Sequence, residues 1–166
     1  NVMRENEGKK NYIGGGEESY GFLCEDFVRD KDAVSACVIL AEIAAWAKDQ
    51  GLSLYQLLQK IYVEYGFSKE KGISVVKKGK SGAEEIEAMM KKFRENPLTE
   101  IAGSKVTYFY DYSTLKGKDY AENETFTLDM PTTSNVLQYF TEDNTKVSIR
   151  PSGTEPKIKF YCEVHS

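Results

Sequence analysis

Arg150-Pro151-Ser152-Gly153-Thr154-Glu155-Pro156-Lys157 sets one guanidinium, two hydroxyls and a glycine between two prolines. An Arg side chain offers a planar fork of donors that matches phosphate oxygens. Ser152, Thr154 and the N–H groups of a turn stiffened by proline add further donors for an anion. Gly153 lets the backbone approach a ligand. Each hydrogen bond to a charged group is worth about 1.5–3 kcal/mol, so four of them would hold a phosphate monoester. An ordinary Pro-Ser-Gly turn with a surface Arg is the competing reading, and the two flanking prolines weigh against it.

A second chemical stretch is Gly14-Gly15-Gly16-Glu17-Glu18-Ser19-Tyr20-Gly21-Phe22. Three glycines allow a tight backbone path or a hinge. Carboxylates accept from sugar hydroxyls, and a serine both donates and accepts. A solvated glycine loop is the plain alternative. A glycosidase-style acid pair is disfavoured, because side chains of adjacent residues point apart. Arg29-Asp30-Lys31-Asp32 follows and reads as a helix start with Asp30 or Asp32 as cap. Lys31 could carry a proton only if burial and cationic neighbours lower its pKa. No cluster of three aspartates suits Mg²⁺.

The elements that position these stretches follow from periodicity. Val147 and Ile149 alternate into the Arg150 turn, and Ile158, Phe160, Cys162 and Val164 alternate out of it, as half-buried strands do. Residues 33–48 are apolar nearly all round, which predicts a helix buried on most sides, with Cys37 as a core thiol and Trp46 as core rather than a stacking platform. Gly51 ends that helix, and Ser53 with Gln56 forms a capping box for the next, which Gly66 closes. Residues 72–82, glycine-broken and lysine-flanked around the short strand 73–76, read as a linker. Ser81 with Glu84 starts a third helix running to about Glu95, with Ile86, Met89, Met90 and Phe93 on one face. Beyond Pro97 the chain is β-rich: Val106, Tyr108, Tyr110 and Tyr112 alternate with Lys105, Thr107, Phe109 and Asp111. Phe126 and Leu128 mark a short strand, and residues 142–145 a four-residue hairpin loop.

The 166 residues are 40% hydrophobic and 29% charged, with a net charge of −4, as expected of a globular chain. The acidic balance argues against nucleic acid, leaving stacking by the tyrosines as the weakest reading. No apolar run reaches membrane-spanning length without charges. Cys24, Cys37 and Cys162 have no metal spacing and fit a reducing cytoplasm, and His165 is a terminal side chain rather than a catalyst. Polar residues at 1–11 and a stop just behind a strand give the expectation of a fragment of a longer protein.

Twelve contiguous residues, Arg-Pro-Ser-Gly-Thr-Glu-Pro-Lys-Ile-Lys-Phe-Tyr at 150–161, resemble the phosphate-binding loop of the α-D-phosphohexomutases, the phosphoglucomutase and phosphomannomutase group. Gly-Glu-Glu-Ser-Tyr-Gly at 16–21 is similar to the sugar-binding loop of the same family's third domain, and Arg29-Asp30-Lys31-Asp32 to its Arg-x-Lys-Asp stretch. The resemblance implies an α/β plus α+β fold: residues 1–78 as the end of an α/β third domain, and residues 79–166 as a small fourth domain, one helix on a mainly antiparallel sheet, without its last helix. It implies phosphate contacts from Arg150, Ser152, Gly153 and Thr154 with Lys157 as helper, and sugar contacts from Glu17 and Ser19. Lys31 becomes the candidate for a phosphate, sugar or proton-transfer role, and Arg29 a weaker one. Such proteins move a phosphoryl group between C1 and C6 of a hexose through a hexose bisphosphate. The resemblance further implies Mg²⁺ and a phosphoserine loop, neither of which has its motif here. The expectation is therefore a substrate-recognition part that catalyses nothing alone and partners the missing N-terminal domains. A hinge is implied at 72–82. Glucose phosphate is expected ahead of mannose phosphate. A stand-alone phosphosugar or anion sensor without catalysis is the alternative.

Overall fold

A computed structural model of the chain describes residues 6–17, 21–24, 30–77 and 79–165. They fall into two compact units, residues 1–64 and 65–166.

In the first unit, β1 (Gly15–Glu17) and β2 (Gly21–Leu23) form an antiparallel hairpin, with Gly16 opposite Phe22. Gly15 is needed because the Tyr12 hydroxyl crosses it, 2.9 Å from where a Cβ would stand, on its way to the Leu23 carbonyl. Helix α1 (Ala33–Asp49) starts at Asp32, whose carboxylate accepts from the N–H groups of Val34 and Ser35 at 2.9 and 3.0 Å. Those amides, Ser35 first, hold the Asp32 carboxyl below the usual carboxylate range. Gly51 turns the chain at φ +71°, and Ser53 and Gln56 exchange the reciprocal bonds of a capping box to open α2 (Leu54–Tyr65).

The burial expected of α1 is not found. Ala47 is its one buried residue, while Val34, Val38 and Trp46 are 74, 56 and 55% exposed. Cys37 is exposed too, so neither it nor Trp46 is core. A helix apolar on all sides needs a further layer on each side, and none among the described residues of this unit supplies one.

The second unit is a sheet packed on one helix. The strands are β3 (Ser68–Val76), β4 (Glu100–Ile101), β5 (Ser104–Asp111), β6 (Lys116–Asp119), β7 (Glu124–Thr127), β8 (Leu137–Thr141), β9 (Lys146–Pro151) and β10 (Lys157–His165). Their order is β3-β10-β9-β8-β5-β6-β7, every pair antiparallel, with β4 on β5. Helix α3 (Gly79–Glu95) lays Ile86 and Met90 on one sheet face, against Val106, Phe109, Leu137, Tyr139, Val147, Ile149 and Ile158. The Tyr139 hydroxyl donates to the Phe93 carbonyl at 3.0 Å, and burial raises its pKa to about 12. Helices and a mainly antiparallel sheet agree with the fold class expected from the sequence.

Three local expectations are corrected. First, residues 72–76 and 79–82 belong to β3 and α3 rather than to a linker. All nine residues of β3 pair with β10, from Ser68 opposite His165 to Val76 opposite Lys157. The division therefore falls after Glu64, and β3 belongs to the second unit instead of lying before a boundary at 78/79. Second, α3 begins at Gly79, so Ser81 lies within its first turn and is no cap. Packing sets this start: a Cβ on Gly82 would meet the Lys77 backbone at 2.7 Å, and Lys77 Nζ reaches Glu85 at 2.8 Å. Third, β5 changes phase. A bulge between Val106 and Tyr108 lets Val106, Phe109 and Asp111 all face α3, while Tyr108, Tyr110 and Tyr112 line the other face with ring centroids 6.3–6.4 Å apart. The short polar strand β6 has no alternation to reveal it. Its Gly117 lies under the Phe126 ring, which leaves no room for a Cβ.

Candidate functional site

The β9–β10 junction is set by register. Ile149 pairs with Phe160 and Val147 with Cys162, all toward α3. Arg150 and Lys159 are therefore direct ladder partners on the opposite face, and Lys157, two residues from Lys159, shares that face. Arg150 is exposed and forms no ion pair among the described residues.

Between the strands the loop is fastened from within. Ser152 N–H donates to the Lys157 carbonyl at 2.7 Å, and Lys157 N–H to the Glu155 carbonyl at 2.7 Å. The N–H groups of Thr154 and Glu155 reach Ser152 Oγ at 3.4 and 3.3 Å. A hydroxyl that accepts twice still has one proton to donate. Lys77 N–H holds the Pro156 carbonyl at 2.8 Å, so β3 also supports the loop. The space around Gly153 is open, with nothing within 4 Å of a hypothetical Cβ. Lys157 Nζ lies 2.7 Å from the Glu155 carboxylate. That bond, then the charges of Lys157 and Lys159, hold the Glu155 carboxyl below its usual range.

The structure thus brings Arg150, Ser152, Gly153, Thr154 and Lys157 to one junction. It adds Lys159, which sequence reasoning passed over as one more strand residue. Strand parity was the available signal: counting back across a tight β9–β10 pairing sets Lys159 opposite Arg150. On the α3 side of the same loop lies a cleft of about 900 Å³, lined by Ile86, Met90, Arg94 and residues 151–156. There Arg94 Nε donates to the Asp111 carboxylate at 3.2 Å and its Nη2 to Asn135 Oδ1.

The first unit holds the other expected residues. Glu17 ends β1 opposite Gly21, but its side chain, with Ser19 and Arg29, lies outside the described residues. Lys31 is joined to the hairpin, because the next residue, Asp32, donates its N–H to the Phe22 carbonyl at 3.1 Å. Lys31 Nζ stands 3.9 Å from Asp30 and its side chain is 45% exposed. Among the described residues no three His, Cys, Asp or Glu side chains gather as a metal ion requires. The Mg²⁺ implied by the resemblance has no ligand set among those residues. No helix of the described residues is long and apolar enough to cross a membrane.

Residues 1–65 match the family model "Phosphoglucomutase/phosphomannomutase, alpha/beta/alpha domain III", and residues 73–166 match "Phosphoglucomutase/phosphomannomutase, C-terminal domain". The chain is 37% identical over 164 residues to a phosphoglucomutase of Staphylococcus haemolyticus, covering 99% of the chain and 30% of that protein. It is 39% identical over 162 residues to a phosphoglucomutase of Staphylococcus aureus strain bovine RF122, covering 98% of the chain and 29% of the relative. A solved structure of pp63/parafusin from Paramecium, a phosphoglucomutase in an open form, aligns with a TM-score of 0.54 at 17% identity, over 93% of this chain and 25% of that one. That likeness concerns the fold. The chain spans about 30% of the length of the curated relatives it matches.

Proposed function

The chain belongs to the phosphoglucomutase/phosphomannomutase family, and from that membership we propose that it supplies the substrate-recognition surfaces of a protein that interconverts hexose 1-phosphate and hexose 6-phosphate. The reaction would pass through a hexose bisphosphate, with Mg²⁺ and the phosphoryl donor held by the other domains of the same protein. One observation supports the reading: register sets Arg150 opposite Lys159 with Lys157 on the same face, next to a loop fastened through the Ser152 hydroxyl and open at Gly153. These groups would clasp the phosphate that is not reacting. Little covalent chemistry is asked of a protein in phosphoryl transfer, so fixing one end of the sugar places the other end for attack. Thr154 adds a donor at the loop's tip. Glu17 and Ser19 would read the sugar hydroxyls, and Lys31 would serve as a further contact or proton carrier. Glucose phosphate is the preferred substrate in this reading, a choice supported by the names of the relatives. Three free cysteines suit a cytoplasmic setting.

The test is Arg150→Ala in the full-length protein. Loss of a charge-assisted contact worth about 1.5–3 kcal/mol should raise KM for glucose phosphate by about 10- to 100-fold and lower kcat as orientation is lost. Unchanged kinetics would remove the phosphate grip.

A further inference from the structure

Glu155 is the only acidic residue between Arg150 and Lys159. Its position is fixed on both sides. Its own N–H is held on Ser152 Oγ at 3.3 Å, its carbonyl accepts from Lys157 N–H at 2.7 Å, and the next carbonyl, that of Pro156, is held by Lys77 N–H at 2.8 Å. This backbone aims the carboxylate at Lys157 Nζ, 2.7 Å away. The Glu155 side chain is 62% exposed, and an exposed pair of this kind adds little to stability. Its effect is on charge. The carboxylate offsets the charge that the Lys157 ammonium would otherwise present to a phosphate monoester.

We infer that Glu155 is a built-in counter-ion that holds Lys157 while the junction is empty, must be displaced by phosphate, and so limits how tightly the junction grips. The inference rests on the phosphate-binding reading of the same loop. A grip of this moderated strength suits a bisphosphate that has to let go and present its other end.

The experiment titrates inorganic phosphate into the 166-residue chain at pH 8 and low salt, following the amide resonances of residues 152–154. Glu155→Gln preserves the backbone bonds and should bind phosphate about three- to fivefold tighter, with the gain shrinking as salt screens it. On a Lys157→Met background the same substitution should gain little, because there is no cation left to release. If the parent chain's loop amides ignore phosphate, the phosphate-binding reading fails and this inference with it. If the parent binds and Glu155→Gln binds no tighter, the counter-ion role alone is overturned. An equal gain with and without Lys157 also overturns it, since Glu155 would then act only as a distant charge.

Discussion

The two units use apolar residues to opposite effect. Helix α1 carries a long apolar run and buries Ala47, whereas α3, with Lys91 and Lys92 on its exposed side, buries Ile86 and Met90 in a nine-residue cluster. Composition therefore does not make a core. A helix stripe stabilises only when a second layer lies within side-chain reach. The sheet from β3 to β7 offers α3 that layer, and Tyr139 bonds the helix backbone across it.

The sharpest way to break this contrast is to truncate one side chain in each unit. Leu137→Ala empties a fully buried site and should cost about 3 kcal/mol. Val38→Ala, at a residue 56% exposed, should cost less than about 0.5 kcal/mol. Urea midpoints compare them, and similar losses would mean that α1 is covered in solution.

Gly82→Ala asks whether the tightness of the second unit extends to the β9–β10 loop. The new methyl would meet the Lys77 backbone, whose N–H supports Pro156, so about 1–3 kcal/mol of stability should be lost. The amides of residues 152–157 should shift as well. Unmoved loop resonances would show that β3 and the loop are uncoupled.

The smallest effect is in the 142–145 turn. Thr141 and Thr145 donate to the Asp143 carboxylate and lower its pKa from the ordinary 3.8 to about 2. A pKa depressed on folding gives stability that is complete above the unfolded value and is lost as pH falls through the folded one. The Tm difference between the parent and Asp143→Asn should therefore be constant above about pH 5 and shrink as pH falls toward and below about 2. A pH-independent difference would assign the turn's stability to something other than this carboxylate.

Local rules made parts of both units legible. The Ser53–Gln56 box, the Asp32 cap, the 142–145 turn and the β9 and β10 alternation all depend on neighbours within a few residues. What escaped depends on distant partners. The β5 bulge is fixed by β8 on its far side, so unbroken alternation misassigned Phe109 and Asp111. The strand β3 looked like a linker because its partner, β10, is the last strand in the chain. Burial of α1 was expected from its own pattern, although burial is a property of what surrounds a helix. In the junction, Arg150 and Ser152 to Thr154 could be read from residue type. Lys159 needed the ladder, and the Arg94–Asp111 pair joins elements that sequence separates.

The pairing of β3 with β10 also sets a timetable. The sheet's first strand to be synthesised must wait for β10, and the turn between β9 and β10 is braced by residues made some eighty positions earlier. Closing so distant a pair is slow relative to local contacts. During translation, the central strands can associate while the edge stays open, and the braced turn comes into being only when β10 has left the ribosome.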